Sequence, residues 1–291
     1  MINFLKYRLI YCFLSILVIS VGLFSIFKWG FNYSIDFTGG TSLDYLFDKK
    51  INEQKIEKIL KDSKVEIIDL KIKEKSLSLK AKPIKQEEEL KIKNSFEKKL
   101  KLKITVLKSE TVGPVLGKET IKKTIIVCFL AMIGILFYIG FAFKGFNYAM
   151  AAILAMLHDF LVLIGSYSLI SHFFGAEFDL MFVTTVLTTM SFSVHDTIVI
   201  FDKIREYFKT ELADIEYFAN KALTETMVRS INNSMTIIFM LVSLYLMGGG
   251  TIKFFVLALL IGTITGTYSS PFVATPILVW LEKRKKINES N

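Results

Sequence analysis

Six runs of apolar residues, each long enough to cross a bilayer, constrain this chain more than any other feature. About 20 residues rising 1.5 Å each traverse a hydrocarbon core of about 30 Å. The runs lie at Leu9 to Phe27, Thr124 to Phe143, Ala149 to Ile170, Leu180 to Phe201, Ser230 to Met247 and Phe254 to Leu281. Lipid offers the backbone no hydrogen-bond partner, so each run is predicted to be a helix. Of the 291 residues, 52% are hydrophobic and 13% aromatic, too apolar for a soluble domain of this length. The fold class expected is a polytopic α-helical membrane protein with six spans, embedded in lipid. Pro271 and Pro276 are placed to bend or end the sixth.

The first run resembles a signal peptide, but its apolar core is longer than the usual 7 to about 15 residues, and Lys28-Trp29-Gly30 offers no small-residue cleavage site. It reads as an uncleaved anchor. Lys6, Arg8, Lys144, Lys203, Arg205, Lys209, Lys221, Arg229 and the tail residues Lys283, Arg284, Lys285 and Lys286 all fall on one side. By the positive-inside rule that side is cytoplasmic, which puts both termini in the cytoplasm.

Residues 30–120 interrupt the apolar pattern. Between Asp48 and Lys118 there are 20 lysines against 12 acids, in a segment expected outside the cell membrane; long loops escape the charge rule. TSLDYLF alternates as a strand does, NEQKIEKILKD has helical spacing, VEIIDLKIKE and KSLSLKAKPI alternate again, KQEEELKIKNSFEKKLK is a second helix, and KITVLKSETV is a last strand. This βαββαβ order predicts a small α+β ferredoxin-like extracytoplasmic domain. The expected organisation is therefore 1–29 for the N-terminus and first helix, 30–120 for this domain, and 121–291 for a five-helix bundle. A basic balance suggests nucleic acid, but an exported location does not, and a solvated lysine face is the plainer reading. Cys12 and Cys128 both lie in apolar runs and read as small packing residues rather than a disulfide.

Ionisable groups inside the spans are the candidate functional residues. A charge at mid-membrane costs roughly 2.5 to 3.5 kcal/mol on insertion scales, so such groups face the protein interior and usually act there. His158 and Asp159 sit in the third run, His195 and Asp196 in the fourth, and Arg229 immediately precedes the fifth. Asp196 follows Leu180 by 16 residues and Arg229 precedes Met247 by 18, so both lie roughly 24 to 27 Å below the outer rim of their helices. An acid and a base at one level either form a static pair or switch when the acid gains a proton. His158 reads as a satisfied interior histidine, with no metal spacing around it. Gly262, Gly266, Ser270 and Ala274 recur every four residues, a stripe that lets a second helix approach closely. No phosphate loop, nucleophile with its base or metal cluster is present in the sequence, so an ATPase or hydrolase is disfavoured and no cofactor is expected.

Ser34-Ile35-Asp36-Phe37-Thr38-Gly39-Gly40 resembles the G-x-D-F-T/S-G-G signature of SecD and SecF, membrane subunits that assist bacterial protein export. Further matching blocks are Val112-Gly113-Pro114 with Gly117-Lys118, Leu157-His158-Asp159, Ser193 through Glu206, and Thr226 with Arg229. Together they cover nearly the whole chain, in order. Six spans with one small exported domain look like the SecF branch of this family, within the resistance-nodulation-division superfamily. The resemblance implies a SecD partner, the SecYEG channel, the associated proteins YajC and YidC, a link to the SecA motor, and exported preproteins as clients, with no nucleic acid. It implies use of the proton-motive force, with Asp196 as the essential acid and Arg229 as its arginine. Read from the residues themselves, Asp159, midway along its span, either belongs to the same proton path or bonds a neighbouring backbone group, and His195 is a further proton-coupling candidate or a replacement for an amide hydrogen bond. His195 departs from the family's S-V-N-D, and Ser230-Ile231-Asn232-Asn233 only loosely matches its threonine-rich continuation. Asp36, Phe37, Gly39, Gly40, Gly113 and Pro114 would form either the hinge of the exported domain or a rigid tight turn. The competing functions are half of a proton-coupled small-molecule exporter of the same superfamily, and an assembly factor whose buried charges are static.

Overall fold

The computed structural model describes residues 2–63, 65–100, 102–143, 145–210 and 213–290. Lys101, which ends a predicted helix, and Lys144 and the Lys286 side chain, which enter the charge bias, lie outside what is described. Helix α1 (Arg8–Trp29) leads to the strands and helices β1 (Gly40–Phe47), α2 (Glu53–Asp62), β2 (Ile67–Lys73), β3 (Ser76–Ala81), α3 (Gln86–Leu100) and β4 (Ile104–Val112). Long helices follow: α4 (Pro114–Phe143), α5 (Phe146–Phe174), α6 (Leu180–Thr210), α7 (Ile215–Met247), α8 (Lys253–Ser269) and α9 (Thr275–Ser290). Two compact units result, Tyr33–Ile126 and the stretches on either side of it.

The smaller unit is an α+β domain. Its strands run in the order β2-β3-β1-β4, each neighbouring pair antiparallel. Alternation in sequence becomes alternation in space, because successive strand side chains point to opposite faces. Leu43, Tyr45 and Phe47 of β1 and Leu77 and Leu79 of β3 are all buried, against Ile56 and Leu60 of α2 and Ile92 and Phe96 of α3. Asn52 caps α2, its side chain accepting from the Gln54 amide at 3.0 Å. Tyr45 is the odd member: its hydroxyl is buried with no hydrogen-bond partner among the described residues, and burial, with Glu89 nearby, pushes its phenol above the usual value.

Six helical segments are long and apolar enough to cross a membrane, and each extends beyond the run that predicts it. They are unequally buried: half of the apolar core of α5 and of α6 is buried inside the chain, against 17% for α1 and 6% for α4. The two helices that carry an aspartate within their apolar runs are thus the ones most buried inside the chain, as the cost of a charge in hydrocarbon demands. Cys12 is exposed on α1, so it does not pack the interior as the sequence suggests.

Close backbone approach draws the bundle together. A Cβ added to Gly22 of α1 would lie 2.8 Å from the Cα of Gly165 on α5, and one turn away the Ser25 and Ser168 hydroxyls are 2.8 Å apart. The stripe on α8 is likewise internal, since Cβ atoms on Gly262 and Gly266 would meet Thr189 and Ser193 of α6 at 2.3 and 3.0 Å. The last span neither ends nor breaks at its prolines. It widens into one π-helical stretch, Ser270–Ala274, with Pro271 at its start and the Thr275 hydroxyl donating to the Ser270 carbonyl at 3.0 Å. Five-residue closure absorbs the amide bond that proline cannot make.

Gly165→Leu is expected to lower the thermal midpoint of the detergent-solubilised chain by an amount equivalent to roughly 1 to 3 kcal/mol, the usual cost of overpacking. Gly134→Ala, at a site with nothing within 4 Å, is expected to leave it unchanged or higher. In the α+β domain, Tyr45→Phe removes a buried unsatisfied hydroxyl and is expected to stabilise by about 1 kcal/mol in chemical denaturation; a loss of stability would show that the hydroxyl has a partner.

Candidate functional site

Thr185, Thr189, Ser193, Asp196, Thr197 and Ile200 are all buried along one face of α6, at the three- and four-residue spacing of a helical stripe. At Asp196 this polar stripe meets α7. The Ser230 hydroxyl donates to Asp196 Oδ2. Ser230 is itself held: its carbonyl accepts from Ser234 Oγ at 2.9 Å, and Ser234 Oγ accepts from Thr267 Oγ1 of α8 at 2.7 Å. One carboxyl group therefore reaches three helices through two serines and a threonine.

Arg229 lies beside Ser230, but neighbours on a helix point about 100° apart. Its side chain is exposed at the surface of the chain, and no ion pair within 4 Å joins it to Asp196 among the described residues. The direct pair anticipated from matching depth is replaced by the hydroxyl of the next residue. Acid and base still face a common space, because His195, Asp196, Arg229, Ser230 and Asn233 line one cleft of about 370 Å³. His195 is exposed on its rim rather than bonded to Asp196.

Asp159 on α5 is the centre of a second buried network, adjoining the first. Its Oδ2 accepts from the Ser269 hydroxyl at 2.6 Å and from Ser193 of α6. Its Oδ1 lies 2.9 Å from His158 Nδ1, and His158 Nε2 lies 2.9 Å from Ser15 Oγ of α1. His158 is thus satisfied at both ring nitrogens, with the Nδ1 proton placed to donate to the carboxyl. Ser270 in the π-helical stretch donates to the Ser193 carbonyl at 3.2 Å and lies 2.8 Å from Thr197 Oγ1. Ser193 and Asp196 are three residues apart on α6, so the two networks occupy successive turns.

The motif at the start of the α+β domain forms a separate, closely packed junction. Gly39 and Gly40 have φ of +72° and +131°, angles that residues with a Cβ rarely adopt. A Cβ on Gly39 would lie 2.7 Å from the Cα of Pro114, and one on Gly117 would lie 2.8 Å from the Gly39 amide nitrogen. Asp36 and Phe37 form the helical turn before them, with the Ser34 hydroxyl accepting from the Asp36 amide at 3.2 Å, and Phe37 is buried. Gly113 has open space where a Cβ would go. These residues belong to the smaller unit, or lie at its start, and Asp196 belongs to the other.

Ser230, Ser269 and Ser15 were not singled out from sequence. The available signal was a row of hydroxyls at helical spacing in an otherwise apolar span, which marks a face turned from lipid.

Comparison with known proteins follows the same outline. Residues 91–284 match the family described as protein export membrane protein SecD/SecF, C-terminal, and residues 24–51 match the SecD/SecF GG motif. The protein translocase subunit SecF of Thermobaculum terrenum is 38% identical over 98% of this chain and 95% of its own length; that of Sebaldella termitidis is 35% identical over 98% and 93%. A crystal structure of SecDF from Thermus thermophilus, described as a translocon-associated membrane protein, superposes with a TM-score of 0.84 at 29% identity, covering 97% of this chain and 39% of that one. The chain thus spans about two-fifths of that longer protein. With half its length and more matched by one family and near full-length relatives above 30% identity, this chain belongs to the SecD/SecF family of protein-export membrane proteins.

Proposed function

We propose that the chain is the SecF-type subunit of the Sec accessory complex: paired with SecD in the cell inner membrane, it uses the proton-motive force to promote translocation of exported proteins through SecYEG after the ATP-driven SecA step. Asp196 carries this reading. A carboxyl group buried deep in a span, opening onto the same cleft as an arginine and tied to the neighbouring helix by one hydroxyl, changes its hold on that helix when it gains or loses a proton. Transfer of one charge across 100 mV supplies about 2.3 kcal/mol, enough for a few protons to drive a domain rearrangement. Asp159 would join through Ser193, one turn away, and His195 from the rim of the cleft.

The strand order of the α+β unit supports a ferredoxin-like topology, with each helix crossing between strands that are not neighbours. Its place in the chain between the first two spans, with the lysines and arginines of the α6–α7 connection and the tail an odd number of spans away, supports an extracytoplasmic domain with both termini cytoplasmic. The Gly39–Pro114 junction supports the tight-turn reading of the motif over a free hinge, so that the start of α4 would move with the domain. YajC and YidC remain partners by family likeness, and the work is transport rather than hydrolysis.

Asp196→Asn is expected to abolish the response of preprotein export to the proton gradient in membrane vesicles while copurification with SecD persists. Arg229→Met is expected to impair the same response. Full gradient-dependent export by the asparagine variant would refute proton coupling through this site.

A further inference from the structure

A larger cleft, about 650 Å³, opens between α4, α6 and α7 at the end of the bundle near the α6–α7 connection. It shares Val199 and Arg229 with the smaller cleft that reaches Asp196. Six of its lining residues are acids or bases that carry charge at neutral pH: Asp202, Lys203, Arg205 and Glu206 on α6, and Glu225 and Arg229 on α7. Acyl chains do not fill such a space, because each charge put against hydrocarbon costs several kcal/mol, whereas water satisfies all of them. The volume holds on the order of 20 waters.

The charges at the mouth are paired with one another at the surface, and Tyr207 hydrogen-bonds Glu225. Lys203 Nζ lies 3.0 Å from Glu206 and 3.7 Å from Glu225, and Arg205 lies 3.6 Å from Asp202, all with half-exposed or exposed side chains. Exposed pairs of this kind contribute little and exchange readily with water. Arg205 also donates to the Ala142 carbonyl at 2.9 Å, which fixes the α4 wall of the cleft to α6. Asp202 lies about 9 Å along α6 from Asp196; Glu225 lies about 6 Å along α7 from Arg229, on the same face of that helix.

Resting on the proton-coupled reading above, we propose that this cleft is the aqueous route by which Asp196 exchanges protons with the compartment at the α6–α7 connection, and that Glu225 is the carboxylate at its mouth that passes protons to water beside Arg229. Val199, which lines both clefts, marks where the route passes from one to the other. His195, Asp196, Asp202, Lys203, Arg205 and Glu206 face the path from α6, Glu225 and Arg229 face it from α7, and Tyr138 is the titratable group on the α4 wall.

The test uses the full chain with its SecD partner in oriented vesicles, with Cys12 and Cys128 replaced by alanine. Val199→Cys is expected to react with a membrane-impermeant anionic thiosulfonate added on the side of the α6–α7 connection. Its rate should exceed that of Phe239→Cys, on an exposed apolar turn of α7, by at least about tenfold, since only a hydrated thiol ionises to the reactive thiolate. Modification should then reduce gradient-driven proton uptake, as should Glu225→Gln. If Val199→Cys does not assemble, Thr226→Cys on the opposite wall serves in its place. Labelling no faster than at Phe239→Cys, with proton uptake intact, overturns the route and leaves coupling at Asp196 standing. Rapid labelling without any uptake that depends on Asp196 overturns both.

Discussion

A carboxyl group below the surface of a bilayer must find its hydrogen bonds within the protein, and most of what is distinctive in this bundle follows from that requirement. Asp159 and Asp196 are both buried, and both are satisfied chiefly by serine hydroxyls from other helices. A hydroxyl is a short, neutral donor that can equally accept, so it serves a carboxyl in either protonation state without importing a second charge. A buried cation would hold the ionised form more firmly, but would be left uncompensated in hydrocarbon whenever the acid was neutral. Leaving Arg229 at the edge of the cleft, while Ser230 makes the contact, avoids that penalty.

Short donors impose short distances between helices, which explains the glycines. Ser269 reaches Asp159, and Ser270 reaches the Ser193 carbonyl, only because the last span lies against α6 with Gly262 and Gly266 at the seam. The π-helical stretch then supplies one additional residue per turn, which presents Ser269 and Ser270 to α5 and α6 while Pro271 begins the same stretch. On the other side, the Gly22–Gly165 crossing brings α1 near enough for Ser15 to meet His158. Packing and polar satisfaction are one problem here, since any side chain that widened a seam would also pull a donor off a carboxyl.

Much of this was legible in the sequence, and unevenly so. Apolar length identified the six spans because the bilayer thickness is fixed, and alternation, clearest in the buried Leu77 and Leu79 of β3, identified the four strands of the small domain to within a few residues. The level shared by Asp196 and α7 followed from counting residues along straight helices. Rotation about the helix axis did not, because predicting which of two adjacent residues, Arg229 or Ser230, faces α6 requires the crossing geometry of both helices. The π-helical stretch was equally hidden: proline signals a disturbed helix, but whether the helix bends, stops or widens depends on what its neighbours can bond.

The same reasoning bears on the junction between Gly39, Gly40, Pro114 and Gly117. Glycine pairs near a domain boundary suggest flexibility, yet at Gly39 and Gly117 the missing side chain is what allows backbone to rest on backbone, and such contact is stiff because interiors at native density do not yield continuously. Freedom of rotation in the unfolded chain becomes, in the folded one, permission for two segments to touch. The start of the small domain and the first turn of α4 are thereby in direct backbone contact. Few residues of α4 are buried along its apolar length, but at its far end Phe143 packs on Tyr148 and Phe201. Phe201 stands five residues beyond Asp196 on α6. α4 is therefore held by backbone contact at its first turn and by aromatic packing at its last, while the apolar stretch between them is left largely free of the rest of the chain.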